Sequence, residues 1–155
     1  MKLERLMFAL AFAVFCKPVF GISAYWIGGD SGDWETASNW SCNSAPYTAN
    51  YLVFVTNETP VTITLSNSKT VCHICFSGAN HTISGSVINF RQGEGLRPAG
   101  VDVAEGLTAK ICQIRPNASR ENGFVKTGKG TLEATSYFGD SSHVFSENEI
   151  SDGVI

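Results

Sequence analysis

From residue 51 onward, apolar and polar positions alternate in short bursts. Val61-Thr62-Ile63-Thr64-Leu65 is the clearest case, with apolar side chains at every second position and hydroxyls between them. A period of two puts one set of side chains on each face of a strand. The same reading predicts strands over 51–55, 61–65, 70–76, 81–84, 86–90, 101–104, 107–114, 123–126, 131–134 and 143–145. The separators are turn formers: Asn57-Glu58-Thr59-Pro60, Ser66-Asn67-Ser68, Ser77-Gly78-Ala79-Asn80, Gly93-Glu94-Gly95 and Gly128-Lys129-Gly130. Beyond residue 24 no segment sustains a helical period with caps, so the fold class is all-β. Numerous short strands fit a sandwich, a barrel or a solenoid. Hairpin-type Asn-Gly turns, which a meander barrel would use repeatedly, are confined to Asn122-Gly123. A solenoid needs none, because its strands stack in parallel around glycine-rich corners.

The first two dozen residues follow a different pattern. Met1-Lys2-Leu3-Glu4-Arg5 is a short segment of net positive charge, residues 6–15 are an unbroken apolar run, and small residues follow at Gly21, Ser23 and Ala24. This is the layout of a secretory signal peptide over residues 1–24, with cleavage expected after Ala24. The apolar run is too short for a membrane span, which needs about 20 residues. The expected location is therefore secreted or at the cell surface.

Residues 25–50 hold all three tryptophans, Trp26, Trp34 and Trp40, spaced by Gly28-Gly29-Asp30-Ser31-Gly32-Asp33. Large aromatic anchors between tight turns predict a compact N-terminal cap. Residues 51–155 then form the repeating β unit, incomplete at its C-terminal side. Trp34, between Asp33 and Glu35, is the tryptophan expected to stay exposed and to contact a carbohydrate.

Charge and cysteine content narrow the partners. The chain carries a net charge of −3; without residues 1–24 it keeps 8 basic and 13 acidic residues, a net −5. That balance, with no basic patch among aromatics, excludes nucleic acid as the expected partner. Cys42, Cys72, Cys75 and Cys112 are an even set in an exported chain, expected to serve as structural thiols or cross-strand disulfides. Cys72-His73-Ile74-Cys75 has the spacing of a redox or zinc half-site, but no second pair completes a metal site. Residues three apart on a strand also face opposite sides. No metal or other cofactor is expected.

Catalysis has little support. Asp30 lies close to Asp33, Asp102 to Glu105 and Glu147 to Glu149, but the acids are otherwise scattered and all read as solvated surface. His73, His81 and His143 lie on separate strands, with His73 and His81 placed to approach across neighbouring ones, and no G-x-S-x-G accompanies them. The one copy of Gly28-Gly29-Asp30-Ser31-Gly32-Asp33 is weak evidence for a calcium-binding roll, which shares each ion between successive copies. Asn39, Asn57, Asn80 and Asn117 head N-glycosylation sequons that a Ser/Thr-rich composition also produces. No residue is assigned a catalytic role.

Two stretches carry a resemblance: Trp26-Ile27-Gly28-Gly29 with Gly32-Asp33-Trp34 and Ala37-Ser38-Asn39-Trp40, and Lys126-Thr127-Gly128-Lys129-Gly130-Thr131-Leu132. Together they resemble the autotransporter-associated β-strand repeat proteins, exported bacterial proteins with parallel β-helix passengers. The resemblance implies a short right-handed parallel β-helix with the tryptophan cap plugging its N-terminal end. It identifies Lys126, Gly128, Gly130, Thr131 and Leu132 as a rung motif, with Gly128 and Gly130 supplying a positive-φ corner and Leu132 pointing inward. It implies a structural or adhesive, non-catalytic role. The expected partners are a cell-surface or polysaccharide ligand and a second copy of the chain, met through the open β-helix end.

Overall fold

The computed structural model describes residues 21–116 and 124–137, which form an all-β structure with parallel strand pairing throughout its sheets. The described strands are β1 (Ile22–Tyr25), β2 (Ser31–Asp33), β3 (Tyr51–Val55), β4 (Thr62–Leu65), β5 (Lys69–Val71), β6 (His73–Phe76), β7 (His81–Phe90), β8 (Gly100–Val103), β9 (Thr108–Pro116), β10 (Val125–Thr127) and β11 (Thr131–Tyr137). The expected strand at 143–145 lies outside the described residues.

Two sheets share the work. The first has the order β1-β3-β6-β8-β10 and the second β2-β4-β7-β9-β11, with β5 also paired to β7. Successive strands therefore cross from one sheet to the other and back, and each return adds a neighbour in the same direction. Parallel pairing follows from this, since no strand meets its sequence neighbour through a hairpin. Register is set by the alternation read in the sequence. Ala24, Val53, Ile74 and Val101 are Cα partners in successive strands of the first sheet, and none has measurable exposure. Ile63, Ile83 and Ile111 form the matching column of the second sheet. Each valine or isoleucine in these columns contributes about 1.5–3 kcal/mol by leaving water. A one-residue slip would turn every column outward, so the register is strongly specified.

Three departures from the sequence expectation change which strands exist or how they pair. The single strand expected over 70–76 is two, because β5 pairs with β7 of the second sheet while β6 pairs with β3 of the first, and the chain must turn at Cys72 between them. The two strands expected over 81–90 are one. β7 runs through Gly85, whose φ of +99° and close approach to the Leu65 carbonyl leave no room for a Cβ. The register shift after Ile83 bends β7 there, so its first half pairs with β4 and its second with β5. Finally, β1 and β2 were not expected, and β1 begins three residues before the predicted cleavage point.

Candidate functional site: the outer face of the first sheet

The tryptophan segment is an interior, not a surface. Trp34 has no measurable exposure, and Trp26 and Trp40 are buried beside it. Trp40 meets Trp26 and Trp34 edge-on at centroid distances of 5.1 and 4.7 Å, the arrangement that the aromatic quadrupole favours. Each indole N–H donates to a carbonyl: Trp26 to Gly29, Trp34 to Pro46 and Trp40 to Trp34, at 2.7–2.8 Å. The expectation that Trp34 is exposed for sugar contact is therefore overturned. Its one polar atom is satisfied internally, and its faces are spent on packing.

The same segment covers strand edges. Tyr25 exchanges hydrogen bonds with Ser41, donating its N–H to the Ser41 Oγ and accepting from the Ser41 N–H, and the Asn39 amide donates to the Asp33 carbonyl. These contacts occupy part of the free sides of β1 and β2, which would otherwise invite another chain. Glu35 ties the segment to the β4–β5 break. One carboxylate oxygen accepts the N–H groups of Ser66 and Asn67 and lies 3.2 Å from the Lys69 ammonium. Burial alone would raise the Glu35 pKa, but the Asn67 N–H, with the other hydrogen bonds and Lys69, takes it below the ordinary value.

The outward-facing side chains of the first sheet make two columns. One is Ser23, Leu52, His73, Gly100 and Val125; the other is Tyr25, Phe54, Cys75, Asp102 and Thr127. The segment joining β7 to β8 lies over the first column. A Cβ at Gly21 would meet the side chains of both Leu96 and Leu52, the Arg97 carbonyl accepts the Cys72 thiol proton at 3.3 Å, and the Pro98 carbonyl accepts from His73 Nδ1 at 3.1 Å. The second column stays open. Tyr25 is 44% exposed and stacks on Phe54 with ring centroids 4.6 Å apart, Arg97 reaches over to Cys75, and Thr127 donates to Asp102 at 2.7 Å. The result is a strip walled on one side, with an aromatic pair at one end and polar groups at the other. A polar cleft of about 270 Å³ opens between residues 48–50 and 91–94.

His73 is the chemically unusual member. It is buried, and its Nε2 has no hydrogen-bond partner. Burial, reinforced by the Arg97 charge and opposed by the Pro98 carbonyl and Asp102, lowers its pKa to about 4. His73 is thus a neutral ring with its proton on Nδ1. His81 differs: it points into the core, donates from Nε2 to the Ser77 carbonyl and accepts the Val61 N–H at Nδ1. The two histidines expected to approach each other lie on different sheets, because the chain changes sheet between β6 and β7.

Cys42, Cys72, Cys75 and Cys112 are free thiols, so of the two expected alternatives the structural thiols stand and the disulfides do not form. Cys42 donates to the Ser44 carbonyl, Cys72 to Arg97 and Cys112 to Ser86, each engaged in a different part of the fold. Cys72 and Cys75 flank extended chain, which puts their Cα atoms roughly 10 Å apart, beyond the ~7 Å reach of a disulfide. Burial raises the thiol pKa of Cys72, Cys75 and Cys112, the opposite of what a nucleophile needs. Among the described residues no three His, Cys, Asp or Glu side chains converge to hold a metal ion.

The glycine corner after β10 has a specific construction. Lys126 falls in register with Val101 and is buried, and its ammonium donates to the carbonyls of Gly128 and Gly130. Gly128 has φ of +74°; Gly130 does not have the positive φ expected of it, but a Cβ there would meet the Ala104 carbonyl at 2.2 Å. Thr131 begins β11, and Leu132 is fully buried. Comparison of the chain with protein-family models, curated proteins and solved structures finds no match.

Proposed function

We propose that the chain is an exported surface or extracellular protein with a structural or adhesive, non-catalytic role, built as a short right-handed parallel β-helix behind a tryptophan cap. The observation that carries the fold reading is the shared order of the two sheets. Each return of the chain adds one parallel strand to the first sheet and one to the second. Right-handedness rests on the general preference of parallel crossovers. The role and the export rest on the signal-peptide layout and on the resemblance to autotransporter-associated repeat proteins, whose K-x-G-x-G-T-L segment is the Lys126 corner. Three interlocked indoles with satisfied N–H groups suit a plug, and the contacts that cover part of the β1 and β2 edges fit self-association through the other end of the β-helix.

The test is expression of the full chain in a bacterial host, followed by fractionation and a cell-retention assay on coated surfaces. We expect the chain outside the cytoplasm and retention above a vector control. Recovery solely in the cytoplasm would overturn the export reading, and unchanged retention by an exported chain would overturn the adhesive one.

A second reading, a carbohydrate-binding module, moves from the tryptophans to the open strip. The exposed, stacked Tyr25 favours it, since an amphipathic ring with one wet face is a common recognition element. Titration with soluble polysaccharides should then show saturable binding that Tyr25→Ala abolishes and Tyr47→Ala spares.

A further inference from the structure

Strand β1 spans the point at which the leader was expected to end. Cleavage after Ala24 would remove Ile22, Ser23 and Ala24, three of the four residues that pair with β3. Ala24 is fully buried beneath Val53, and the Ile22 N–H donates to the Asn50 carbonyl at 2.7 Å. A mature chain starting at Tyr25 would lose this bond, uncover the edge of β3 and open the core column at its first member. The small residues at 21, 23 and 24 leave several cleavage points open, and of these only a cut before Ile22 leaves β1 whole.

We propose that the leader is removed between Gly21 and Ile22, so that the mature protein begins at Ile22. This rests on the export reading above. Gly21 supplies the small residue that a signal peptidase needs directly before the cut, and Val19 is a compact residue three positions before it. Water adds across the Gly21–Ile22 peptide bond. Its hydroxyl goes to the Gly21 carbonyl carbon and its proton to the Ile22 nitrogen. The leader departs with a C-terminal carboxylate, and the mature chain gains an α-ammonium at Ile22. That ammonium keeps the Asn50 carbonyl as its acceptor, now as a charge-assisted hydrogen bond. Cleavage takes place on the unfolded chain during export, so the later burial of β1 does not impede it.

The experiment is N-terminal sequencing with intact-mass measurement of the exported product of the full chain. We expect Ile22 as the first residue. In Gly21→Leu that product should disappear, whereas in Ala24→Val it should persist; both are read on denatured protein, so folding of the variants is immaterial. A product starting at Tyr25 overturns this inference and leaves export intact. An uncleaved cytoplasmic chain starting at Met1 overturns the export reading and the inference with it. Mature chains made to begin at Ile22 and at Tyr25 should also differ, the shorter one unfolding at lower urea; equal midpoints would remove the structural argument.

Discussion

The cap and the walled face of the first sheet both bury polar-tipped rings, with opposite consequences. In the cap, three indoles each carry one donor, and each finds a carbonyl. Under the Arg97–Pro98 segment, His73 has two ring nitrogens and a hydrogen-bond partner for only one. An indole needs a single acceptor to be buried at no polar cost. An imidazole has two ring nitrogens to satisfy; His81 finds a partner for both, whereas His73 is buried with Nε2 bare, and that burial, with the Arg97 charge, holds it neutral. Full pairing of the three indoles is what separates the packed tryptophan cluster from the ring of His73.

The largest expected effect breaks the cap. Trp40→Ala removes the ring that contacts both other indoles and should cost about 3–5 kcal/mol, read as a lower urea midpoint at unchanged slope. The second effect sharpens the histidine side. Folding lowers the His73 pKa from 6.5 to about 4, so the unfolded chain binds the proton more readily between these values. His73 therefore adds no pH dependence above pH 6.5, and stability falls as pH drops from 6.5 to about 4. The full loss is about 3 kcal/mol. Urea midpoints at pH 7 and 4.5 should converge in His73→Gln relative to the parent; an unchanged gap would show that His73 is not the sensor.

Lys126 adds a third kind of buried polar tip, its side-chain nitrogen donating to two carbonyls. Lys126→Met keeps the length and removes the donors, leaving the Gly128 and Gly130 carbonyls short of a partner. We expect a loss of about 1–3 kcal/mol, and a stability equal to the parent would mean the apolar stack gains what the corner loses. The smallest effect lies on the open strip. Tyr25→Ala removes an exposed stacking partner of Phe54 and should cost only about 0.5–1.5 kcal/mol. A larger loss there would place Tyr25 with the cap.

Much of the fold was legible in the residues themselves. The period-two pattern of Val61–Leu65 marked β4 to within one residue, and Tyr51–Val55 coincides with β3. Glycine corners and the scarcity of hairpin turns pointed to parallel stacking, which is how every sheet in the structure is paired. The site was far less legible. Trp34 sits among Asp33, Glu35 and glycines, a local context that reads as exposed, but its burial depends on Pro46 and Trp40, distant in sequence. Nothing around His73 marks it as covered; its cover is supplied by Arg97 and Pro98, about 25 positions later.

The order of polar and apolar residues specified the strand period, the all-β class and the position of the corners, and composition specified the acidic balance. These depend on side-chain polarity and local φ/ψ preference, which act over a few residues. Tertiary structure alone decided which face of each strand is dry, which sheet each half of 70–76 joins, that the cysteines stay apart and that Ile22–Tyr25 belongs to the folded body. Those outcomes come from pairing between strands some 20–30 residues apart. There the decisive quantities are register and coverage, which no local pattern encodes.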